Sequence, residues 1–423
     1  MAFIPIPRVA QRPPVSINWR AWQYSGDKRD VRLDFLRGFA MLAMIANHIG
    51  GESSWLYVVT GGNRFFISAA EVFVFISGLV MGIIYAGLIA RQGLRAALLK
   101  TTRRAWTLYL LTVSLSLALA VLVTRFPVEW TAYLTPTTWP ELVWGLVTTQ
   151  RTYMFTDVLL LYAFLVLAAG PLLALLARGY TGLVLLLSWG LWALWQVAPD
   201  SVVLPWPIID NGTFHFSAWQ VLFVMGLVVG FHRRALEKRL AHLNPLWLTV
   251  GAGALLTLTV GLYLTHLAPL SGLGQPDALN ALLFDKANVR PGRLLVFATF
   301  MVFAYSLLTL AWTPFKRALG WLILPLGQKS LTAYTLHLFV GVLLALTLQA
   351  WAGPEADGGL NALIQLTGIA LVWGLVHGVG HAQAAVRRLP ALPLPDPTVA
   401  VARVWVLLRR RSLSEYSEDC TTC

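Results

Sequence analysis

The sequence predicts an all-α, polytopic membrane protein with about ten transmembrane helices. Hydrophobic residues make up 57% of the 423 residues, and the mean hydropathy is +0.67. Charged residues make up only 12%, which is about half the share typical of a soluble domain. Many apolar segments approach 20 residues, a length that crosses a hydrocarbon core of about 30 Å. Together these observations exclude an ordinary soluble enzyme or binding module.

The predicted spans are separated by segments rich in Gly, Pro or charged residues, which end each apolar run. In chain order, the spans cover residues 32–49, 66–90, 105–124, 153–177, 181–198, 215–232, 245–267, 291–312, 328–350 and 360–385.

Lys and Arg are concentrated in alternate connections of this pattern. They cluster in the basic N-terminal segment 1–31, in the loops 91–104, 233–244 and 313–317, and in the tail 386–423. Cytoplasmic loops of membrane proteins carry such an excess. The alternation therefore predicts a multi-pass protein of the cytoplasmic membrane with both termini in the cytoplasm. The same bias accounts for the formal net charge of +13 without a nucleic-acid partner.

We expect three parts of the chain: a cytoplasmic lead-in at 1–31, a transmembrane domain at 32–385, and a Pro-rich polar cytoplasmic tail at 386–423. The only cysteines, Cys420 and Cys423, lie in the tail. Without a second pair or a nearby histidine they do not indicate a zinc site, and no metal is predicted. The N-terminus has no apolar h-region, so no cleaved signal peptide is indicated. Neither the role of the tail nor the oligomeric state follows from the sequence.

The first span carries Asp34, Arg37, Asn47 and His48 in a largely apolar helix. Arg37 and His48 are eleven residues apart, about three helical turns, so they share one face at a separation of roughly 16 Å. Asp34 lies on nearly the same stripe. Ionisable groups within a membrane helix are costly and usually mark a functional site. The alternative is an ion pair and a cap at the membrane interface, but the shared stripe favours function.

The predicted orientation places His48 at the outer end of the first span and Glu71 at the outer end of the second. Consecutive spans are usually neighbours, so these side chains should share a depth. A carboxylate that orients a histidine is the usual arrangement of a general base. An equally weighted alternative is that Glu71 caps its helix or pairs with Arg64.

Two further features of the second span are structural in their simplest interpretation. Gly78 and Gly82 are four residues apart, a spacing that predicts close helix packing. Ser77 lies beside them and could line a channel, although such a hydroxyl more often bonds its own backbone.

Other polar residues fall at one end of the bundle or the other. At the inner end, Arg103 and Arg104 could bind the phosphates of a cytosolic donor while Trp106 stacks on its base. The alternative is anchoring by the inside-positive rule. At the outer end or within the bundle, four residues are candidate acceptor contacts or structural caps: Asp157, Trp219, Gln220 and His337.

These motifs resemble the OpgC family of the transmembrane acyltransferase superfamily. The resemblance is carried by LDFLRG at 33–38 with Asn47-His48, by AAEVFVFISG at 69–78, and by three shorter stretches at 157–162, 217–223 and 326–331. It covers roughly residues 30–380. One difference is Ser68, where the family often has Asp.

The resemblance implies ten spans and the transfer of an acyl group, succinyl in the named case, from a cytoplasmic acyl-CoA to periplasmic glucans. It implies that His48 is catalytic, that Arg37 binds the donor or shapes the channel, and that Glu71 supports the outer site. The hypothesis is an O-acyltransferase that takes succinyl-CoA or acetyl-CoA and acylates a glycan hydroxyl. The lipid bilayer and the glycan acceptor are its expected partners. A transporter or flippase without acyl transfer, and acetyl transfer to an amino sugar or cell-wall polymer, are the alternatives.

Overall fold

The computed structural model describes residues 29–49, 54–61, 66–126, 134–264, 281–351 and 358–388. The expected lead-in and tail therefore lie almost entirely outside the described residues. The chain divides into two units, Met1–Val376 and His377–Cys423. All contacts discussed below belong to the first unit.

In the described part of the chain, regular secondary structure is helical apart from an isolated bridge between Arg151 and Ile209. This confirms the predicted all-α class. In chain order the helices are α1 (Val31–Ile49), α2 (Tyr57–Thr60), α3 (Ala69–Arg125), α4 (Trp139–Val147), α5 (Asp157–Ala177), α6 (Thr181–Val197), α7 (Phe216–Phe231), α8 (Arg233–Leu240), α9 (Pro245–Leu264), α10 (Pro291–Leu310), α11 (Trp312–Gln328), α12 (Ser330–Trp351) and α13 (Gly358–Arg388). Short 3₁₀ turns cover Met154–Thr156 and Pro199–Ser201.

Each predicted span coincides with a helix, but fewer helices qualify as crossings by length and composition. The four that do are Ala69–Arg125, Met154–Ala177, Pro291–Leu310 and Gly358–Ala382. The number rises to six if two sharply bent pairs, α7 with α8 and α11 with α12, each form one span. The chain is therefore that of a membrane protein, and the figure of ten crossings stays a prediction.

The prediction of a loop at 91–104 is wrong, because these residues are helical except at Gly93. Gly93 has φ 81 and ψ 171 and interrupts α3, which otherwise runs for 57 residues. Such a left-handed φ favours glycine. The residues that follow are mostly Ala, Leu, Arg and Lys, which are strong helix formers. Basic residues in this stretch marked the cytoplasmic side but did not end the helix.

The two parts of α3 fold back on each other at Gly93. Ser77 in the first part donates to the hydroxyl of Tyr162 on α5 at 3.4 Å. Ser116 in the second part lies 2.8 Å from the hydroxyl of Thr156, just before α5. Both parts therefore flank the same end of α5, as two consecutive antiparallel spans would.

Glycines set the close approach of α3 and α7. A Cβ at Gly78 or Gly82 would collide with the backbone of α7, and a Cβ at Gly226 or Gly230 would collide with the backbone of α3. The two small-xxx-small faces are thus reciprocal, a geometry that gives dense helix contacts within a bilayer. This confirms the packing role predicted for Gly78 and Gly82.

The first helix lies within the bundle rather than at its edge. It packs on α3, α11 and α12, and most of its residues are buried. A Cβ at Gly38 would meet the backbone of Ile323 on α11, and one at Gly327 would meet the backbone of Asp34. These backbone contacts fix the helix that carries Arg37 and His48.

Candidate functional site

The C-terminal end of α1 presents His48 in a fixed orientation. Its Nδ1 lies 2.9 Å from Nε2 of His337 on α12. Its ring stacks on Phe155, with centroids 4.3 Å apart and planes 12° from parallel. His337 is fully buried, and its own Nδ1 lies 2.5 Å from the carbonyl oxygen of Tyr334. Three groups thus form a chain from a backbone carbonyl to His48.

This chain determines which nitrogen of His48 is basic. A carbonyl oxygen only accepts hydrogen bonds, so Nδ1 of His337 must be the donor. In a neutral imidazole the other nitrogen is then an acceptor, and His48 donates from Nδ1 to Nε2 of His337. The remaining nitrogen, Nε2 of His48, keeps its lone pair. The assignment rests on donor and acceptor chemistry, and it gives His48 the tautomer that a general base needs.

Glu71 does not form the expected pair with His48. Its carboxylate accepts hydrogen bonds from the backbone N–H of Ser68 at 2.9 Å and from the Ser68 hydroxyl at 2.5 Å, which is a capping box at the start of α3. It also forms an ion pair with the buried Arg293 of α10. The capping alternative is thus realised, and His337 takes the place beside His48. A catalytic role for Glu71 stays a prediction.

His48 lines a cavity of about 500 Å³, within the size range of small-molecule sites. Its walls include the side chains of Asn47 and Asp157, as predicted for the outer end, and those of Asp210 and Lys286. Asp210 is ion-paired with Arg151 at 3.1 Å. The cavity therefore combines a base, carboxylates and an amine in one enclosure.

Lys286 is a cavity residue that no sequence pattern predicted. It lies in the turn before α10, and its Nζ is 6.0 Å from the centroid of the Phe214 ring. Among the described residues it has no ion-pair partner within 4 Å. Burial lowers its pKa, although the nearby carboxylates of Glu71 and Asp157 oppose this shift. It is an isolated amine in a loop, with no periodicity or motif that would mark it.

In the N-terminal half of α1, Arg37 is half-buried, and its buried Nε has no hydrogen-bond partner among the described residues. Asp34 is not its direct partner, because the Asp34 carboxylate accepts two hydrogen bonds of 2.8 Å from Arg29. Asp34 is still its strongest favourable electrostatic neighbour, followed by Tyr162, whereas the like charge of Arg104 repels it. An unsatisfied buried guanidinium nitrogen suits an anionic or carbonyl ligand.

The predicted donor residues on α3 are only partly brought together. Arg103, Arg104 and Trp106 are all exposed, and Trp106 packs against Tyr109 with centroids 5.1 Å apart. Arg104 is the one of the three that interacts electrostatically with Arg37. A donor role for these three residues stays a prediction.

Among the remaining predicted residues, Asn47 lines the cavity, whereas Trp219 and Gln220 lie outside its lining. Trp219 is fully buried and donates from Nε1 to the carbonyl of Thr213, a cavity residue, at 2.8 Å. Gln220 exchanges hydrogen bonds with Ser188 on α6. Asn47 accepts a hydrogen bond of 3.3 Å from Thr60. Trp219 and Gln220 therefore serve packing, whereas Asn47 reaches the cavity itself.

No group of three or more His, Cys, Asp or Glu side chains in the described ranges is placed to hold a metal ion.

The chain is similar to a known protein family. A family model described as "OpgC protein" matches residues 29–384, which is most of the chain. None of the curated proteins gives a significant match.

Proposed function

The chain belongs to the OpgC family, and on this basis we propose that it is an integral membrane O-acyltransferase. In this proposal it moves a succinyl or acetyl group from a cytoplasmic acyl-CoA to a hydroxyl of an extracytoplasmic glucan or other glycan. The observation that carries the proposal is the Tyr334–His337–His48 chain, which leaves Nε2 of His48 free as a base at a polar cavity.

The membrane topology that we propose is the one predicted from the sequence, with ten crossings of the cytoplasmic membrane and both termini in the cytoplasm. The coincidence of a helix with every predicted span supports it. In the same frame, α1 has 19 residues and is about 27 Å long. It would place Arg37 toward the cytoplasm and His48 toward the exterior.

The proposed chemistry begins with the acceptor hydroxyl in the cavity. Nε2 of His48 takes the hydroxyl proton as the oxygen attacks the thioester carbonyl carbon. The carbonyl π electrons move to oxygen and give a tetrahedral intermediate. Its collapse forms the ester and expels the thiolate, which takes the proton back from His48. His337 holds the imidazole in place throughout.

The donor would enter from the inner end. Its acyl arm would pass Arg37 toward His48, while its phosphates stay at the cytoplasmic surface. Arg104 and the unsatisfied Nε of Arg37 support this direction of entry. Arg103 and Trp106 extend the same exposed surface. The donor is a substrate here, and the proposal requires no metal.

The test uses membranes that contain the wild-type protein or the His48→Ala variant, with acyl-labelled succinyl-CoA or acetyl-CoA. We expect label to move to glycan in the wild type, and the variant to lose activity by a factor of about 10²–10⁴. His242→Ala, at an exposed position, is the matched control and should be fully active. Wild-type transfer by His48→Ala would refute the proposal.

Transport or lipid flipping without acyl transfer is the second candidate. Two bent helix pairs favour it, because broken helices are common in transporters. The angle is 75° between α7 and α8 and 91° between α11 and α12. The label distinguishes the two functions. A transporter would move a labelled compound across the membrane without a new ester.

A further inference from the structure

Among the described residues, the cavity contains a lysine whose ammonium has no ion-pair partner within 4 Å. The cavity residue Asp210 is paired with Arg151, and Arg293 is paired with Glu71. Lys286 lines the same cavity as His48 and, within the described ranges, its Nζ has neither an ion pair nor a hydrogen bond. It is oriented over the ring of Phe214 instead.

An unpaired ammonium in a largely enclosed site is costly. Such a group is useful where negative charge develops during a reaction, because a preorganised cation then needs no reorganisation. In acyl transfer, the glycan hydroxyl and the thioester are both neutral. The negative charge appears on the former carbonyl oxygen when the tetrahedral intermediate forms.

We propose that Lys286 is a catalytic residue that stabilises this oxyanion through its ammonium group. The inference rests on the proposed acyltransferase function and deepens it. As the acceptor oxygen bonds to the carbonyl carbon, the π electron pair of the carbonyl moves to oxygen and is stabilised by Nζ–H of Lys286. When the carbon–sulfur bond breaks, that pair returns to form the ester carbonyl, and Lys286 keeps its proton throughout.

Titratable groups on four helices interact electrostatically with Lys286. Its electrostatic neighbours are Glu71 on α3, Arg293 on α10, Asp157 on α5 and His48 on α1. Asp210 lines the same cavity, and the adjacent Asp285 is held by Asn288 at 2.7 Å. Burial lowers the pKa of Lys286 despite the two carboxylates. The ammonium should therefore be lost at a lower pH than that of an exposed lysine, and the alkaline limb of kcat should report this loss.

The experiment compares purified wild type with Lys286→Met and Lys286→Arg, using both acetyl-CoA and succinyl-CoA. Lys238→Met, at an exposed position of α8, is the control. We expect Lys286→Met to lower kcat by about 10²–10³-fold with both donors, with the acceptor KM unchanged. Lys286→Arg should keep part of the activity and should shift the alkaline limb to higher pH, because a guanidinium stays charged.

Three results would overturn the proposal while leaving the acyltransferase function intact. They are normal kcat in Lys286→Met, a raised acceptor KM with kcat unchanged, and a loss confined to succinyl-CoA. The last result would show that the lysine binds the distal carboxylate of the donor. If Lys286→Met does not fold, the alkaline limb of Lys286→Arg decides, and an unshifted limb rejects the oxyanion role. A wild-type protein that transfers no label would refute the proposed function itself.

Discussion

The contact between His48 and His337 leads to a prediction that separates orientation from packing. In His337→Phe, a ring of similar size fills the buried position but offers no acceptor to Nδ1 of His48. In His337→Gln, the side-chain oxygen can reach the region of the former Nε2 and accept that hydrogen bond. Of the two variants, only His337→Gln offers the acceptor that the tautomer hypothesis requires.

The size of the effect follows from what the contact does. A hydrogen bond is worth about 1 kcal/mol net, so its loss alone would lower the population of the productive tautomer roughly fivefold. Loss of the ring's orientation adds to this, since a positioned base contributes about 10²–10⁴ in rate. We therefore expect His337→Phe to lower kcat by about 10- to 10²-fold, and His337→Gln to recover most of that loss.

The assay is kcat with labelled acyl-CoA and saturating acceptor, normalised to folded protein. Thermal unfolding in detergent is measured alongside, because His337 is fully buried and a change there can lower stability without touching catalysis. Wild-type kcat in a folded His337→Phe would refute the tautomer argument. Equal impairment of both variants would show that the site needs the histidine ring for a reason other than an acceptor.

Two further predictions concern packing and donor binding. Gly78→Ala should lower the unfolding temperature, because its Cβ would press on the backbone of α7 and overpacking costs about 1–3 kcal/mol. Gly190→Ala, where a Cβ meets nothing within 4 Å, is the control and should be no less stable than the wild type. Equal stability of the two variants would contradict the packing argument. Arg37→Lys keeps the charge but loses the guanidinium geometry, so the donor KM should rise while thermal stability is unchanged. An unaltered dependence of the rate on donor concentration would argue against donor binding at this residue. Lys238→Arg is the matched control.

The positions of the helices were predictable because the physical signal is local. An apolar run long enough for a bilayer is visible in one dimension, and each predicted span is helical. The turn at Gly93 was harder to recognise, because strong helix formers lie on both sides of it. A basic stretch indicates which side of the membrane it faces, but it gives no information on whether the backbone leaves the helix.

The site was only partly predictable because its contacts join distant parts of the chain. The spacing of Arg37 and His48 gave their common face. The contact between His48 and His337 joins positions 289 residues apart, and it depends on which helices are neighbours. The pairing of Glu71 did have a signal: Ser68 and Glu71 have the S-x-x-E spacing of a capping box. The Glu71 carboxylate therefore caps its own helix instead of contacting His48.

The arrangement of α1 bears on the choice between enzyme and transporter. One helix carries both Arg37 and His48, and close backbone contacts at Gly38 and Gly327 clamp it to α11. Their separation of roughly 16 Å along the helix axis is then fixed by helix geometry. A transporter must alternate access to its site by moving one part of the bundle against another. A transferase needs only that a flexible substrate arm extend from one fixed group to the other. A clamped helix with a base held in one tautomer at its C-terminal end is more useful to the transferase, because precision at the reacting atoms is what acyl transfer requires.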